Sequence, residues 1–193
     1  KDSKVYNPYS TGRALHYLRF DNYWFESGTP TFLVDLIKEK EFKITNMEGM
    51  EIGRDEIKAY DLKKLEIIPL LFQTGYLTIK DVEDEIIYTL GYPNYEVEHG
   101  FSLNLIKSFS KGNIKTPIIH RLKKSLINKE YEQFIDYMKS LFASIANINI
   151  PVSVKDRENF YHTMFYLTGV LFSDNNLDVY TEVLTKDGRI DMV

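Results

Sequence analysis

The sequence predicts an α+β chain, mainly α, and three observations carry that expectation. Apolar residues recur every three or four positions over long stretches, as in Val97, Phe101, Leu105 and Phe109, and in Phe160, Met164, Leu167 and Leu171. Runs rich in β-branched and aromatic residues are short and come in pairs about a turn: 76–80 with 86–90, and 177–185 with 189–193. The 193 residues can bury one ordinary core or two small ones without covalent staples, and there is no cysteine.

The elements follow in order. Ser10 is placed to cap a short helix through about Leu18. After an aromatic run from Phe20 to Phe25, Thr29 and Pro30 form a strong helix start, since proline at the first helical position gives up an amide that would be unpaired anyway. That helix is expected to run to about Lys40 and to bury Phe32, Leu33, Leu36 and Ile37. Residues 43–68 alternate poorly and read as a polar connection with one short helix near Asp55–Tyr60. The apolar run after Pro69 ends at Gly75 in a helix C-cap position. A hairpin about an acidic turn follows, and then Asn94 as the N-cap of the helix through Phe109. Short helix, hairpin, helix is a winged-helix-like layout. It serves protein packing as readily as DNA binding, because no run of Arg, Lys, Asn or Gln marks a base-reading helix.

Gly112 and Pro117 punctuate a boundary. Two helices are expected beyond it. One, from about Lys129 to Ala146, has Tyr131, Phe134, Met138, Leu141, Phe142 and Ile145 on an apolar face; the other runs from about Asp156 to Phe172 and is apolar on most sides, hence buried. Asp187-Gly188 then reads as a type I′ turn joining two terminal strands. In that register Glu182 and Asp191 are diagonal neighbours, roughly 7–8 Å apart at Cα and within joint reach of a hard cation such as Mg²⁺. Two charges on the solvent face of an edge hairpin is the plain alternative.

Charge and motifs bound the chemistry. The net charge of −4 conceals a basic block: residues 101–129 hold Lys107, Lys111, Lys115, Arg121, Lys123, Lys124 and Lys129 with no acidic residue, and the remainder of the chain balances at −11. Such a block marks either a nucleic-acid surface or a solvated helix and linker. No G-x-x-x-x-G-K-[ST], no G-x-G-x-x-G, no H-E-x-x-H and no G-x-S-x-G occurs, so the chain shows no nucleotide loop, zinc helix or serine elbow. Without cysteine there is no thiol nucleophile and no Cys-based metal site, and a reducing, cytoplasmic compartment is expected. No apolar run approaches the ~18 residues of a membrane span, so no membrane partner is expected. Seven aromatics in the first 25 residues serve either as a stacking platform or, more simply, as packing against a neighbouring segment.

Tyr180-Thr-Glu-Val-Leu-Thr-Lys-Asp-Gly-Arg-Ile-Asp-Met-Val193 resembles the first two core strands of PD-(D/E)XK nuclease-like domains. Three strings further upstream resemble a large bacterial family that joins an N-terminal AAA-ATPase-like domain to a PD-(D/E)XK domain. They are Asn22-Tyr-Trp-Phe-Glu-Ser-Gly-Thr-Pro-Thr-Phe-Leu33, Pro69-Leu-Leu-Phe-Gln-Thr-Gly-Tyr-Leu-Thr-Ile79 and Tyr88-Thr-Leu-Gly-Tyr-Pro-Asn94. The resemblance implies that residues 1–112 are the helical and winged-helix-like end of the ATPase-like region. Residues 113–193 would be the incomplete start of the nuclease-like domain. It assigns Glu182 and Asp191 as catalytic, metal-binding residues for Mg²⁺, which would activate a water for attack on a phosphodiester. Such a site is completed by a Glu-x-Lys on the following strand, and none lies between Asp191 and Val193. ATP would belong to the ATPase-like domain, with no cofactor in this chain itself. The expected role is a regulatory or connecting region, inactive alone, whose partners are its own ATPase-like and nuclease-like portions. The alternatives are a nucleic-acid-binding module, with DNA held by Lys107, Lys111, Lys115, Arg121, Lys123 and Lys124, and a purely protein-interaction module.

Overall fold

The computed structural model describes residues 7–19, 23, 31–40, 44, 47–58, 66–110, 114, 116–146, 154–172, 181–185 and 188–192. The chain is α+β and mainly α, and its described residues include five strands in two small sheets. It divides into two compact units, one of Lys1–Phe42 with Met47–Phe101, the other of Lys43–Asn46 with Ser102–Val193. The division falls inside a helix, eleven residues before the 112/113 boundary that Gly112 and Pro117 had suggested.

In the first unit, α1 (Pro8–Tyr17) is capped by Asn7 rather than Ser10. The Asn7 Oδ1 accepts the Ser10 amide at 3.1 Å, and Pro8 fills the first turn. No α1 residue is buried; Leu18, left-handed at φ 52°, closes the helix and is 89% exposed. Helix α2 (Thr31–Glu39) buries Leu33, Val34 and Ile37. Phe32 is exposed and Leu36 half-buried, so the buried face is turned relative to the expected one. The expected cap at Thr29 and Pro30 lies outside the described residues.

The connection that reads as polar in the sequence holds a strand. β1 (Met50–Gly53) follows Gly49, which takes φ 76° and donates its amide to the Leu90 carbonyl at 3.0 Å. Four residues make too short a pattern to stand out alone, and tertiary pairing decides the strand. The expected short helix is α3 (Arg54–Lys58). Helix α4 (Ile67–Gln73) buries Ile67, Pro69, Leu70 and Leu71. Its end is a Schellman motif: Gly75 at φ 81° donates to the Phe72 carbonyl at 3.1 Å, and Tyr76 donates to the Leu71 carbonyl at 2.8 Å. Helix α4 packs against α2 and α3.

β2 (Thr78–Glu83) and β3 (Ile87–Gly91) form the expected hairpin, and β1 joins the far side of β3, giving an antiparallel sheet of order β1-β3-β2. A bulge at Lys80 shifts the β2–β3 register. Across the sheet, Ile52, Tyr88 and Val82 form one row and Met50, Leu90 and Ile79 the next. Ile52 and Leu90 are buried, so this is the core face. The opposite face carries Glu51, Thr89 and Asp81 in one row and Gly53, Ile87 and Glu83 in the other. At the turn, Asp84 (φ 49°) and Glu85 (φ 57°) are both left-handed, and the Ile86 amide donates to the Glu83 carbonyl at 3.0 Å.

Helix α5 (Tyr95–Phe109) begins in the first unit and ends in the second. Asn94 caps it as expected, its Oδ1 accepting the Val97 amide at 3.0 Å, and Val97, Phe101 and Leu105 are fully buried. The second unit then holds α6 (Thr116–Ile127), α7 (Tyr131–Ala146) and α8 (Val154–Val170). The sequence reading missed α6, treating Pro117 as a boundary where it sits in a first helical turn. Lys129 does not start α7; it is left-handed at φ 60° and closes α6. Its amide donates to the Leu126 carbonyl at 3.0 Å, and the Glu130 amide donates to the Ser125 carbonyl at 2.8 Å. Helices α6 and α7 pack together. Met138 and Leu141 of α7 are buried, whereas Tyr131 is exposed. Helix α8 buries Met164, Tyr166, Leu167, Thr168 and Val170 in its second half, whereas Phe160 is half-buried and Tyr161 and Phe165 are exposed, so the burial expected on most sides holds only there. No described helix is long and apolar enough to cross a membrane.

Candidate functional site

The second unit ends in β4 (Thr181–Thr185) and β5 (Gly188–Met192), an antiparallel pair. Pairing closes at Thr185 with Gly188, so Gly188 belongs to a strand rather than to the expected Asp187-Gly188 turn. Thr181 pairs with Met192 and Val183 with Ile190, which sets Glu182 opposite Asp191. The expected diagonal relation is therefore corrected to a direct one, with Cα atoms about 4.5–5.5 Å apart in such pairs. The slip is two residues, and an even slip leaves every residue on its original face. Like charges directly opposite in a sheet are unfavourable unless something compensates them, and two carboxylates suit a hard cation that retains several waters. The expected Mg²⁺ ligands Glu182 and Asp191 thus fall at one cross-strand position. Among the described side chains, no three His, Asp or Glu residues gather into a metal site.

The basic block is dispersed over two helices. Lys107 is exposed in the last turn of α5, whereas Lys111 and Lys115 lie outside the described residues. Helix α6 buries Ile119, Leu122 and Ser125 and turns His120, Arg121 and Lys124 outward; Lys123 is half-buried. Arg121 and Lys124 are three apart and so neighbours on one face. Missing α6 hid this stripe. Its signal was present in Ile119, Leu122 and Leu126 at helical spacing.

In the first unit the acidic turn of the hairpin is part of a wider acidic surface. Glu51, Asp81, Glu83, Asp84 and Glu85 are all exposed on the outer sheet face and its turn. Glu51 joins this surface only through β1, which the sequence reading did not find. Beneath the sheet, Tyr76 is buried with its ring 4.7 Å from that of Phe101, and burial pushes its phenol up to about 12. On α1, the Arg13 guanidinium lies 4.8 Å from the Tyr17 ring centre and donates to the Tyr17 hydroxyl at 3.0 Å. The Tyr17 ring also stacks on Tyr23, so part of the aromatic run packs on itself and on Arg13.

No family model and no solved structure matches the chain. It is similar to a protein of Azotobacter chroococcum mcd 1 described as an uncharacterized protein in the vnfD 5' region, with 32% identity over 197 residues. The match takes in 97% of this chain and 37% of that relative, so the chain spans little more than a third of the relative's length.

Proposed function

We propose that the chain is a regulatory and connecting region of a longer cytoplasmic protein. In this reading its first unit is a winged-helix-like module that packs against protein, and its terminal hairpin begins a nuclease-like core with Glu182 and Asp191 as Mg²⁺ ligands. The observation that carries the reading is helix α4. It lies between α3 and the β2–β3 hairpin, where such a module would carry its base-reading helix. Yet Ile67–Gln73 contains no Arg, Lys or Asn and buries four of its seven residues. The adjoining hairpin turn is acidic and would repel phosphate. The ATPase-like and nuclease-like portions of the longer protein are its proposed partners. The resemblance described above supports that assignment, as does the greater length of the relative. The resemblance places a Glu-x-Lys on the strand after Asp191, and its lysine would help to position or deprotonate the attacking water.

The test is incubation of the 193-residue chain with plasmid and duplex DNA in the presence of Mg²⁺. The expected result is no cleavage. Mg²⁺-dependent cleavage abolished by Asp191→Ala would overturn the reading.

One observation favours a second reading, DNA binding through α6: His120, Arg121 and Lys124 share an outward face opposite buried Ile119 and Leu122. Salt-dependent duplex binding lost in Arg121→Glu/Lys124→Glu would establish it, and no binding at low ionic strength would end it.

A further inference from the structure

We propose that the exposed apolar stripe of α7 docks a second copy of this chain, the two α7 helices running antiparallel across a two-fold axis beside Ile135.

Tyr131 and Ile135 of α7 are 58% and 50% exposed. Spacings of four and seven residues put Tyr131, Ile135 and the half-buried Phe142 in one stripe. Along that helix the Phe134 ring centre lies 6.5 Å from that of Phe172, and the Phe142 ring centre 5.3 Å from that of Tyr161. The start of α7 thus meets the end of α8, and the two helices run antiparallel. In this register Tyr161 touches Phe142, and Phe165, one turn on, lies level with Met138 and the turn of Ile135. Both Tyr161 and Phe165 are exposed, so the apolar surface continues across two helices of the second unit.

The charges beside the stripe point to the occupant. Glu132 and Lys139 border it on one side, seven residues and so about two turns apart. Lys139 pairs with Asp136 at 3.4 Å, so this rim offers no strong net charge to a polyanion or polycation. It is instead complementary to itself. Across a two-fold axis between antiparallel helices, an edge of one helix meets the same edge of its copy. An axis at the midpoint of Glu132 and Lys139 therefore sets each Glu132 against the partner's Lys139, at two places. That midpoint falls beside Ile135, near the centre of the apolar stripe, so one axis satisfies both patterns. Lys139 has three donors, enough for Asp136 of its own helix and Glu132 of the other. With α8 from each copy alongside, the product is a four-helix bundle. A face built on the 16 residues of α7, about 24 Å long, is small for a specific interface, so the dimer should be weak.

The experiment is sedimentation equilibrium of the 193-residue chain from about 1 μM to 1 mM, where a monomer–dimer equilibrium is expected. Ile135→Asp should abolish it. Glu132→Lys and Lys139→Glu each bring like charges together at two places and should weaken the dimer about tenfold, most at low salt. Glu132→Lys/Lys139→Glu restores opposite charges and should recover the parent association. Residues seven apart do not touch within one helix, so this recovery reports contact between copies. Circular dichroism and urea unfolding of each variant establish that it is folded. A chain that stays monomeric at every concentration overturns the proposal and leaves the stripe to a different partner. Self-association indifferent to Ile135→Asp overturns it as well, as does a double charge variant no tighter than the single ones.

Discussion

The Glu48 carboxylate reaches over the end of β3 and accepts the Tyr92 amide at 2.8 Å, and Gly91 is the residue that leaves room for it. A Cβ on Gly91 would stand 2.6 Å from one carboxylate oxygen and 2.7 Å from the other. The neighbouring Met47 is fully buried, and its sulfur accepts the Tyr92 hydroxyl at 3.5 Å. Together these contacts fasten the segment leading into β1 onto the end of β3.

Gly91→Ala should therefore displace the Glu48 carboxylate and release the Tyr92 amide. The expected cost is about 1.5–3 kcal/mol, the range for losing a hydrogen bond to a charged group, measured by urea unfolding. In a Glu48→Ala background the obstructing atoms are gone, and Gly91→Ala should cost less by at least about 0.5 kcal/mol. Equal costs in both backgrounds would show that the close approach is not what excludes a side chain at Gly91.

Lys129 closes α6 in the left-handed conformation, a position that suits glycine. Lys129→Gly removes a Cβ penalty of about 1–2 kcal/mol and returns some of it as extra freedom of the unfolded chain, about 0.4–1 kcal/mol. A net stabilisation of roughly 0.5 kcal/mol is expected from urea midpoints at constant m-value. Lys129→Val should destabilise, because a β-branched side chain tolerates this conformation worst.

These two sites show where the sequence was legible and where it was not. Asn94 with Val97, Phe101 and Leu105 announced α5 correctly, because a side-chain cap and a four-residue apolar repeat are local and redundant. Strand β1 had no such redundancy: Met50–Gly53 becomes a strand by pairing with residues some forty positions away. For α6, the strongest local sign, Pro117, pointed to a break and to a helix start equally well. That Glu182 and Asp191 share one face of a terminal hairpin was legible, but their register was not. Gly188 satisfies both a turn and the end of a strand, and the choice shifts the register by two. The acidic face depended on β1 and so could not be assembled from sequence.

Ser102 in α5 is fully buried, and its hydroxyl oxygen has no hydrogen-bond partner among the described residues. Burying an unpaired hydroxyl is costly, so Ser102→Ala should stabilise the chain by about 1 kcal/mol. Thr168→Val is the informative contrast: this buried hydroxyl donates to the Met164 carbonyl at 2.7 Å, and its removal should cost about 0.5–1.5 kcal/mol. Opposite signs at two buried hydroxyls, read from urea midpoints, would separate the effect of pairing from that of burial. Destabilisation by Ser102→Ala would mean that the Ser102 hydroxyl is paired in solution.

Tyr76 links the core of the first unit to pH. Burial disfavours the phenolate, so the folded chain keeps the Tyr76 proton until about pH 12, whereas an unfolded chain releases it near pH 10. The folded state thus binds the proton more tightly. The stability associated with this difference is complete below pH 10 and is lost as pH rises through about 12. Tyr76→Phe has no phenol to ionise at this position. Its unfolding free energy should therefore decline less steeply between pH 10 and 12 than that of the parent chain, whatever the substitution costs at neutral pH. Parallel pH profiles for the two proteins would show that Tyr76 ionises alike in the folded and unfolded chain. In that case the contact between its ring and Phe101 would leave the phenol in water.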